Sequence, residues 1–313
     1  MKAPILNGAS RLRDLGEGVE PVPAARNAAA PRATTVREMN AGPRAGKGAT
    51  LRIKCFGCEA MIEAGDADAV SDAFVLHAHS SHTWSYPEQA LRDYARNYGE
   101  ATERLVGSTE RLVAIGEVSI HPVTPERVDE WLGFFDREAF AGNPIWASCY
   151  CLEPHAPSTP EEPERPWRAT RAAMAQRLRC NATTGYLAFV DGRPAGWVNA
   201  SWRSEYGLYR SVDPGGPEPT SVIGVSCFVI APPFRRHGIA SALLDRVIAD
   251  AAGRGASCVE GYPHNQPDAN DPGHFRGARS MYAARGFEVV ETRERDTVMR
   301  LSVGPARTTP TGA

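Results

Sequence analysis

The clearest hydrophobic pattern in the chain lies between Val222 and Ala252. Val222–Ile230 is an apolar run rich in β-branched residues, and it stops shortly before a pair of prolines, as a buried β-strand would. Beyond the prolines, apolar residues recur at steps of three and four, which places them on one face of a helix. These residues are Leu243, Leu244, Val247, Ile248 and Ala251. The stretch therefore predicts a strand, a loop and a helix.

The loop between this strand and this helix, residues 235–240, carries basic side chains followed by a glycine. The first turn of a helix presents N–H groups without partners and a partial positive charge, and Gly238 has no Cβ to keep an anion away. The loop therefore predicts a phosphate site. Its sequence matches neither GxxxxGK[ST] nor GxGxxG, which excludes the nucleoside-triphosphate and dinucleotide fingerprints.

Regular elements are also predicted on both sides of this stretch. The pattern indicates strands at 117–121, 186–190, 195–202 and 257–262, and helices at 125–140 and 167–178. Asp191-Gly192, between two of these strands, is a strong hairpin signal. The predicted order is strand, helix, helix, strand pair, strand, helix, strand, helix and strand pair.

This region resembles the GCN5-related N-acetyltransferase (GNAT) family. The family's R/Q-x-x-G-x-G/A loop matches residues 235–240, and the Y-x-x-x-G-F end of its last helix matches residues 282–287. The predicted order of strands and helices is also the order of that family. The resemblance implies an α/β (α+β) GNAT fold over residues 111–303, with a mixed central sheet flanked by helices.

In the GNAT family the loop holds the pyrophosphate of acetyl-CoA, and the strand before it pairs with the pantetheine arm. By resemblance, the strand would contribute Phe228, Val229 and Ile230, and the loop Arg235, Arg236, His237, Gly238, Ile239 and Ala240. The chain departs from the family at Phe275, where relatives usually have an asparagine that contacts the coenzyme arm. We expect Asn265 to replace it.

The resemblance also implies a chemistry. A neutral amine attacks the thioester of acetyl-CoA, so one proton must leave the amine and another must reach the departing thiolate. Tyr282 matches the family's general acid, whereas the strand that often carries the base has Ser226 and Cys227 instead of a carboxylate. Glu260, on the next strand, is the expected base. The alternatives are water, His264 and Glu205.

The amine acceptor is expected between the two early helices and a tyrosine-rich loop. Carboxylates and ring faces there would suit a cationic amine, although a solvated loop explains them equally well. These residues are Glu205, Tyr206, Tyr209, Asp213 and Glu218. Cys149, Cys151 and His155 form an unspecific motif, and their aromatic surroundings favour core packing over a second metal site.

Residues 49–105 predict a small module with a structural zinc ion. Cys55 and Cys58 lie on the turn of a predicted hairpin, and His77 and His82 lie near the end of a predicted helix. Two thiolates and two imidazoles form the ligand set of a tetrahedral zinc site, which resembles small Cys2His2-like ββα domains of prokaryotes. His79 is an alternative to His77. Packing cysteines with surface histidines are the alternative to zinc.

Charge argues against nucleic acid as a partner. The net charge is −2, and residues 51–105 hold more acidic than basic side chains, whereas phosphate binding requires Lys and Arg. We therefore expect the zinc module to contact protein: the rest of this chain, a partner or a second copy.

The ends of the chain predict disorder, and the cysteines bear on where the protein is located. Residues 1–48 and 304–313 lack an apolar period and predict disorder, with Met39 as an alternative start of translation. The seven cysteines lack the spacing of a disulfide scaffold, and the sequence has no apolar run of about 18 residues and no signal-peptide core. These observations predict a cytoplasmic protein without membrane contact.

The sequence thus favours an enzyme, an acetyl-CoA-dependent N-acetyltransferase that acts on an amine of a small molecule or a protein. The alternative is a non-catalytic module that senses acyl-CoA or binds a protein. The missing strand carboxylate and the missing asparagine favour this alternative.

Overall fold

The computed structural model describes residues 50–304, apart from 56–57, 59, 84–85, 159–164, 210–215 and 266–273. The predicted arm 1–48 lies outside the described residues, as does the predicted tail 304–313 except for Gly304. Across the part of the chain that is described, no helix is both long and apolar enough to cross a bilayer.

The chain first forms an antiparallel hairpin and two helices. Strand β1 (Leu51–Lys54) pairs with β2 (Met61–Ala64), and helices α1 (Ala67–Ser81) and α2 (Glu88–Arg104) follow. These elements share a core that includes Ile53, Phe74, Leu91 and Tyr94. The predicted ββα unit is completed by α2, because a hairpin and one helix leave an apolar face open and α2 covers it.

A larger sheet with flanking helices follows. Its elements are β3 (Val118–Pro122), α3 (Val128–Arg137), α4 (Trp167–Arg179), β4 (Gly185–Val190), β5 (Arg193–Trp202), β6 (Val222–Ile230), α5 (Ile239–Ala251), β7 (Cys258–Gly261), α6 (Arg279–Ala283), β8 (Glu288–Thr292) and β9 (Thr297–Ser302). The strand order is β3-β4-β5-β6-β7-β9-β8. Strands β6 and β7 run parallel, and the other neighbours are antiparallel. The predicted order of elements is confirmed.

Strand β6 lies in the middle of this sheet. Every residue of β6 except Ile230 is buried, as a continuous apolar run predicts for a strand covered on both faces. Neighbouring residues of β5 point to opposite faces: Gly196 lies against Leu243 of α5, and Trp197 lies edge-on to Trp131 of α3. The sheet is therefore sandwiched between α5 and α3.

The C-terminal end of α2 is joined to the larger sheet's helical layer by Arg104. Its guanidinium donates to the Tyr150 hydroxyl and to the Ala147 carbonyl, both at 2.9 Å. It also lies 4.3 Å from the Trp167 ring centroid, a cation–π contact. Burial lowers the pKa of Arg104, with nearby acidic groups opposing that shift. A partly buried guanidinium with these partners fixes α2 against the start of α4.

We predict that Arg104→Ala lowers the free energy of unfolding by about 1–3 kcal/mol, because buried acceptors lose their donor. Denaturant unfolding would measure the change. Arg111→Ala is the matched control, since Arg111 is exposed. Equal, small losses for both variants would show that Arg104 does not join the two parts.

Candidate functional site

The central feature of the site is the point where β6 and β7 stop pairing. Their parallel register runs only from Val222 and Cys258 to Val225 and Gly261. The register of β6 against β5 shifts at the same place, so that Ser226 forms a β-bulge. Strand β6 continues to Ile230, and this leaves a gap on the side that β7 has left. We call it the β6–β7 gap.

The backbone of β6 faces this gap at alternate residues. The Phe228 N–H donates to the Phe275 carbonyl at 2.5 Å, and the Ile230 carbonyl accepts a bond from Arg235 at 3.0 Å. Antiparallel pairing with β5 therefore uses the intervening residue, Val229, whose backbone points the other way. The prediction that Val229 offers backbone groups to a ligand is wrong for this reason. Phe228 and Ile230 point into the gap.

The loop after β6 has the geometry of an anion site. Arg236 and Gly238 have φ angles of 66° and 79°, both left-handed, a kind of turn that can direct successive N–H groups to one side. The first bond inside α5 runs from the Ala242 N–H to the Gly238 carbonyl, so the amides of Ile239 and Ala240 precede the helical ladder. A Cβ placed on Gly238 would meet no atom within 4 Å. The space beside the helix start is open.

Two basic residues of the loop have structural partners. Arg235 Nε holds the Ile230 carbonyl, which ties the loop to the strand. His237 Nε2 lies 2.9 Å from the Leu112 carbonyl and donates to it. Arg236 has an exposed side chain at the mouth of the loop. An exposed guanidinium at this position can meet an anion arriving from solvent.

Tyr282 lies at the gap but is buried. Its hydroxyl donates to the Arg276 carbonyl at 2.8 Å, and a Cβ at Gly277 would lie 2.9 Å from the Tyr282 ring and 3.1 Å from the Phe228 ring. Burial raises the pKa of Tyr282 well above its ordinary value. The phenol therefore keeps its proton at neutral pH, as a general acid must.

Glu260 does not fit the predicted role of base. It is fully buried, and its carboxylate accepts from Arg203 at 3.0 and 3.1 Å, from Arg300 at 2.9 Å and from the Tyr262 hydroxyl at 3.0 Å. A base must contact the amine that it deprotonates. Two guanidiniums and a phenol enclose this carboxylate instead, so we correct the assignment: Glu260 anchors the segment after β5 to the sheet.

The side-chain amide of Asn265 is hydrogen-bonded within the protein. Its amide nitrogen donates to the Arg293 carbonyl at 2.7 Å, and its amide oxygen accepts from the Thr297 hydroxyl at 2.6 Å. The residue thereby holds the turn between β8 and β9, and it lines an open cavity of about 420 Å³ with His264 and His274. The prediction that Asn265 contacts a coenzyme does not fit, because both ends of its amide are engaged.

The described tyrosines of the tyrosine-rich loop are packed rather than open. Tyr206 and Tyr209 are buried, and Tyr209 stacks on Tyr262 at 3.8 Å between ring centroids. Glu205 is paired with Arg177 at 3.2 Å. Asp213 lies outside the described residues. The two tyrosines therefore form part of the core, and they do not present ring faces to an acceptor.

His155, which the sequence assigns to core packing, lies in a buried polar cluster. Its Nδ1 is 3.0 Å from the Glu205 carbonyl, and its Nε2 is 2.9 Å from the Asn199 amide. Burial lowers the pKa of His155 to about 4, so the ring is neutral at pH 7. Cys151 is buried in contact with Cys227 at 3.1 Å between sulfurs. These contacts agree with core packing.

Cys55, Cys58, His77 and His82 come together at the hairpin turn and the end of α1. Their ligand atoms lie within 4.8 Å of one another, with 3.3 Å between Cys55 Sγ and His82 Nε2 and 3.2 Å between Cys58 Sγ and His77 Nε2. Tetrahedral zinc holds sulfur and nitrogen ligands roughly 3.5 Å apart. His79, the alternative ligand, is exposed and outside this group.

The surroundings of this group suit a metal. Ser81 Oγ lies 3.3 Å from His77 Nδ1, which fixes the ring with Nε2 toward the thiol. Burial, followed by the nearby His82, lowers the pKa of His77 and favours the neutral ring that ligates metals. The donor set, its spacing and this supporting bond all fit zinc.

Comparison with known proteins gives a family match over part of the chain. Residues 146–287 match the model of the acetyltransferase (GNAT) family. Together with the strand order, this match confirms the predicted mixed α/β GNAT fold. No curated protein matches the chain.

Solved structures with similarity to the chain include three N-acetyltransferases. The PaiA N-acetyltransferase of Thermoplasma acidophilum, in complex with coenzyme A, is 15% identical, with 60% of this chain and 99% of that chain covered and a TM-score of 0.38. An N-acetyltransferase of Staphylococcus aureus Mu50 is 14% identical, with 60% and 99% covered and a TM-score of 0.37. The ribosomal-protein-S18-alanine N-acetyltransferase of Escherichia coli is 14% identical, with 62% and 98% covered and a TM-score of 0.34.

We predict that Glu260→Gln lowers the free energy of unfolding by about 3–5 kcal/mol, because it leaves the buried Arg203 guanidinium and the partly buried Arg300 guanidinium without their counter-charge. The control is Asp245→Asn, which breaks the pair of the exposed Asp245 with Arg285 and should cost less than about 1 kcal/mol. Denaturant unfolding of both variants is the measurement. A Glu260→Gln protein as stable as Asp245→Asn would reopen the role of Glu260 as a base.

Proposed function

We propose that this protein is an acetyl-CoA-dependent acyltransferase that moves an acetyl group to a primary amine of a small molecule or a protein. The observation that carries the proposal is the combination of the β6–β7 gap with the open helix start at Gly238. The gap is a strand edge that β7 does not cover, suited to an extended chain of amides, and the helix start is suited to phosphates. The GNAT family match supports the same ligand.

The gap and the loop divide the binding of acetyl-CoA between them. Phe228 and Ile230 offer backbone groups to the pantetheine arm. The amides of Gly238, Ile239 and Ala240 meet the pyrophosphate, and Arg236 adds a charge-assisted bond from the loop's mouth. Arg235 contributes by holding the loop against the end of β6. The ligand therefore lies along β6 with its phosphates at α5.

The proposed chemistry follows from the same placement. The amine attacks the thioester carbonyl, the carbon–sulfur bond breaks, and Tyr282 donates its proton to the departing thiolate. The Phe228 N–H, aimed into the gap, can stabilise the carbonyl oxygen as negative charge develops on it. The amine loses its proton to water, because the carboxylate of Glu260 is enclosed by Arg203 and Arg300.

The second candidate function is a non-catalytic module that senses acyl-CoA. The enclosure of Glu260 favours it, since a sensor needs the coenzyme site but no base. The two functions differ in one measurement. An enzyme releases free thiol from acetyl-CoA in the presence of a suitable amine, whereas a sensor binds acetyl-CoA and leaves the thioester intact.

For the N-terminal part we propose a structural zinc ion held by Cys55, Cys58, His77 and His82. The zinc joins the hairpin turn to the end of α1, in a unit whose core is small. The proposed organisation is a zinc module over residues 49–105 and an acetyltransferase domain over 111–303. Through Arg104 at the end of α2, the module contacts the rest of the same chain.

We predict that Gly238→Glu weakens the binding of acetyl-CoA by a factor of about 100 or more, because a carboxylate meets the phosphates. Calorimetry would measure the dissociation constant, and a screen of amines read by thiol release would measure activity. Gly255→Glu is a matched control at the other end of α5: its φ is +86° and its surroundings are equally open. Both variants carry a similar backbone strain of about 1–2 kcal/mol.

The result that contradicts the proposal is equal binding by the two variants, or no binding of acetyl-CoA by the wild-type protein. Binding by the wild type without thiol release for any amine would favour the sensor.

We predict that the purified protein holds one zinc ion per chain and that Cys58→Ser loses it, together with thermal stability of residues 49–105. Cys58 is exposed, so the substitution removes a ligand without creating a cavity. Cys180→Ser, at another exposed cysteine, is the control and should keep the metal. Elemental analysis and thermal unfolding are the measurements. Identical metal content in both variants would exclude this site.

A further inference from the structure

One turn of the chain already occupies the β6–β7 gap. His274–Gly277 forms this turn, closed by a bond of 2.8 Å from the Gly277 N–H to the His274 carbonyl. We call it the gap turn. Its two inner carbonyls make the contacts that matter: the Phe275 carbonyl accepts from the Phe228 N–H at 2.5 Å, and the Arg276 carbonyl accepts from the Tyr282 hydroxyl at 2.8 Å.

In the proposed function, the Phe228 N–H and the Tyr282 hydroxyl are the two groups that bind the thioester end of acetyl-CoA. A peptide carbonyl and the carbonyls of an acylated pantetheine arm are the same kind of acceptor for an N–H. While the turn is in place, the Phe228 N–H cannot bind the coenzyme's carbonyl, and the Tyr282 proton points to Arg276 instead of a sulfur atom. The turn and the coenzyme compete for one position.

The turn is held from outside the gap as well. The Arg276 side chain is buried and pairs with Asp296 at 2.6 Å. The Phe275 ring lies edge-on to Trp146 at 5.8 Å and to His264 at 5.2 Å between ring centroids. A Cβ on Gly277 would be within 3.1 Å of the Phe228 ring, so the turn is packed closely against β6. Side chains on both sides of the gap thus fix its position.

We propose that the gap turn is an autoinhibitory segment, and that acetyl-CoA must displace it before Phe228 and Tyr282 can act. This inference rests on the proposed function, because it assigns the gap to the coenzyme. The free protein is then a resting state with its acid engaged. Binding of the coenzyme frees the Tyr282 hydroxyl, which can then protonate the thiolate that forms when the amine attacks and the carbon–sulfur bond breaks.

The free energy needed to displace the gap turn weakens the apparent affinity for acetyl-CoA. When only a fraction of molecules has an open gap, the apparent dissociation constant equals the intrinsic constant divided by that fraction. Weakening the anchors of the turn should therefore tighten the binding of acetyl-CoA. Loss of an ordinary packing residue should leave the affinity unchanged.

The test combines a variant with rapid kinetics of the full chain. Phe275→Ala removes the ring that contacts Trp146 and His264 and leaves the backbone in place, and we expect its dissociation constant for acetyl-CoA to fall by roughly three- to tenfold. Phe189→Ala is the control: it truncates a buried aromatic residue on β4, which β5 separates from β6. It should lose stability and keep the wild-type affinity.

In the wild-type protein, Trp146 fluorescence should change as Phe275 moves away, and the observed rate should reach a ceiling as acetyl-CoA is raised, because release of the turn becomes limiting. A rate that increases linearly without limit, or a Phe275→Ala protein that binds no tighter, would overturn the proposal.

If Phe275→Ala does not fold, the wild-type rate profile decides alone. Absence of acetyl-CoA binding in every variant would instead reject the proposed function, and the role of the turn with it. Tight binding with single-step kinetics would reject only the role of the turn.

Discussion

The short pairing of β6 with β7 is the constraint on which the rest of the site depends. Backbone groups in a buried strand must find partners, and β7 supplies them for only four residues. Two other groups bond the backbone of β6 beyond this point: the Phe275 carbonyl accepts from the Phe228 N–H, and the Arg235 side chain donates to the Ile230 carbonyl. Gly261 contributes at the point of divergence, because a side chain there would collide with the Tyr282 ring. The bulge, the helix start and the gap turn are all arranged around this missing strand neighbour.

The sequence predicted those features whose cause is local. The run 222–230 and the helical spacing after it predicted β6 and α5, and Gly238 predicted a helix start that an anion can approach. The spacing of Cys55, Cys58, His77 and His82 predicted a group that the fold brings together, because a hairpin turn and a helix end are close whenever the two elements share a core. In each case the residues that decide the outcome lie within one or two neighbouring elements.

The sequence could not predict how side chains divide their hydrogen bonds between distant partners. Glu260 looked available on a strand, but Arg203 lies 57 positions away along the chain and no spacing rule connects the two. Asn265 is held by Arg293 and Thr297 for the same reason. Val229 is a different kind of error: the alternation of backbone direction along a strand was enough to separate it from Phe228 and Ile230. Phe275 and Arg276 contact Phe228 and Tyr282 through main-chain carbonyls, so the identity of their side chains could not predict these contacts.

The cation–π contact at Arg104 has a practical consequence for dividing the chain. Trp167 and Tyr150 belong to the larger fold, yet the guanidinium that covers them comes from the last residue of α2. A truncated protein that starts after the linker would uncover an indole and a phenol at once, and would leave the acidic side chain of Asp136 with one fewer neighbouring cation. Fragments for crystallisation or spectroscopy are therefore better begun upstream of the hairpin than between the two parts.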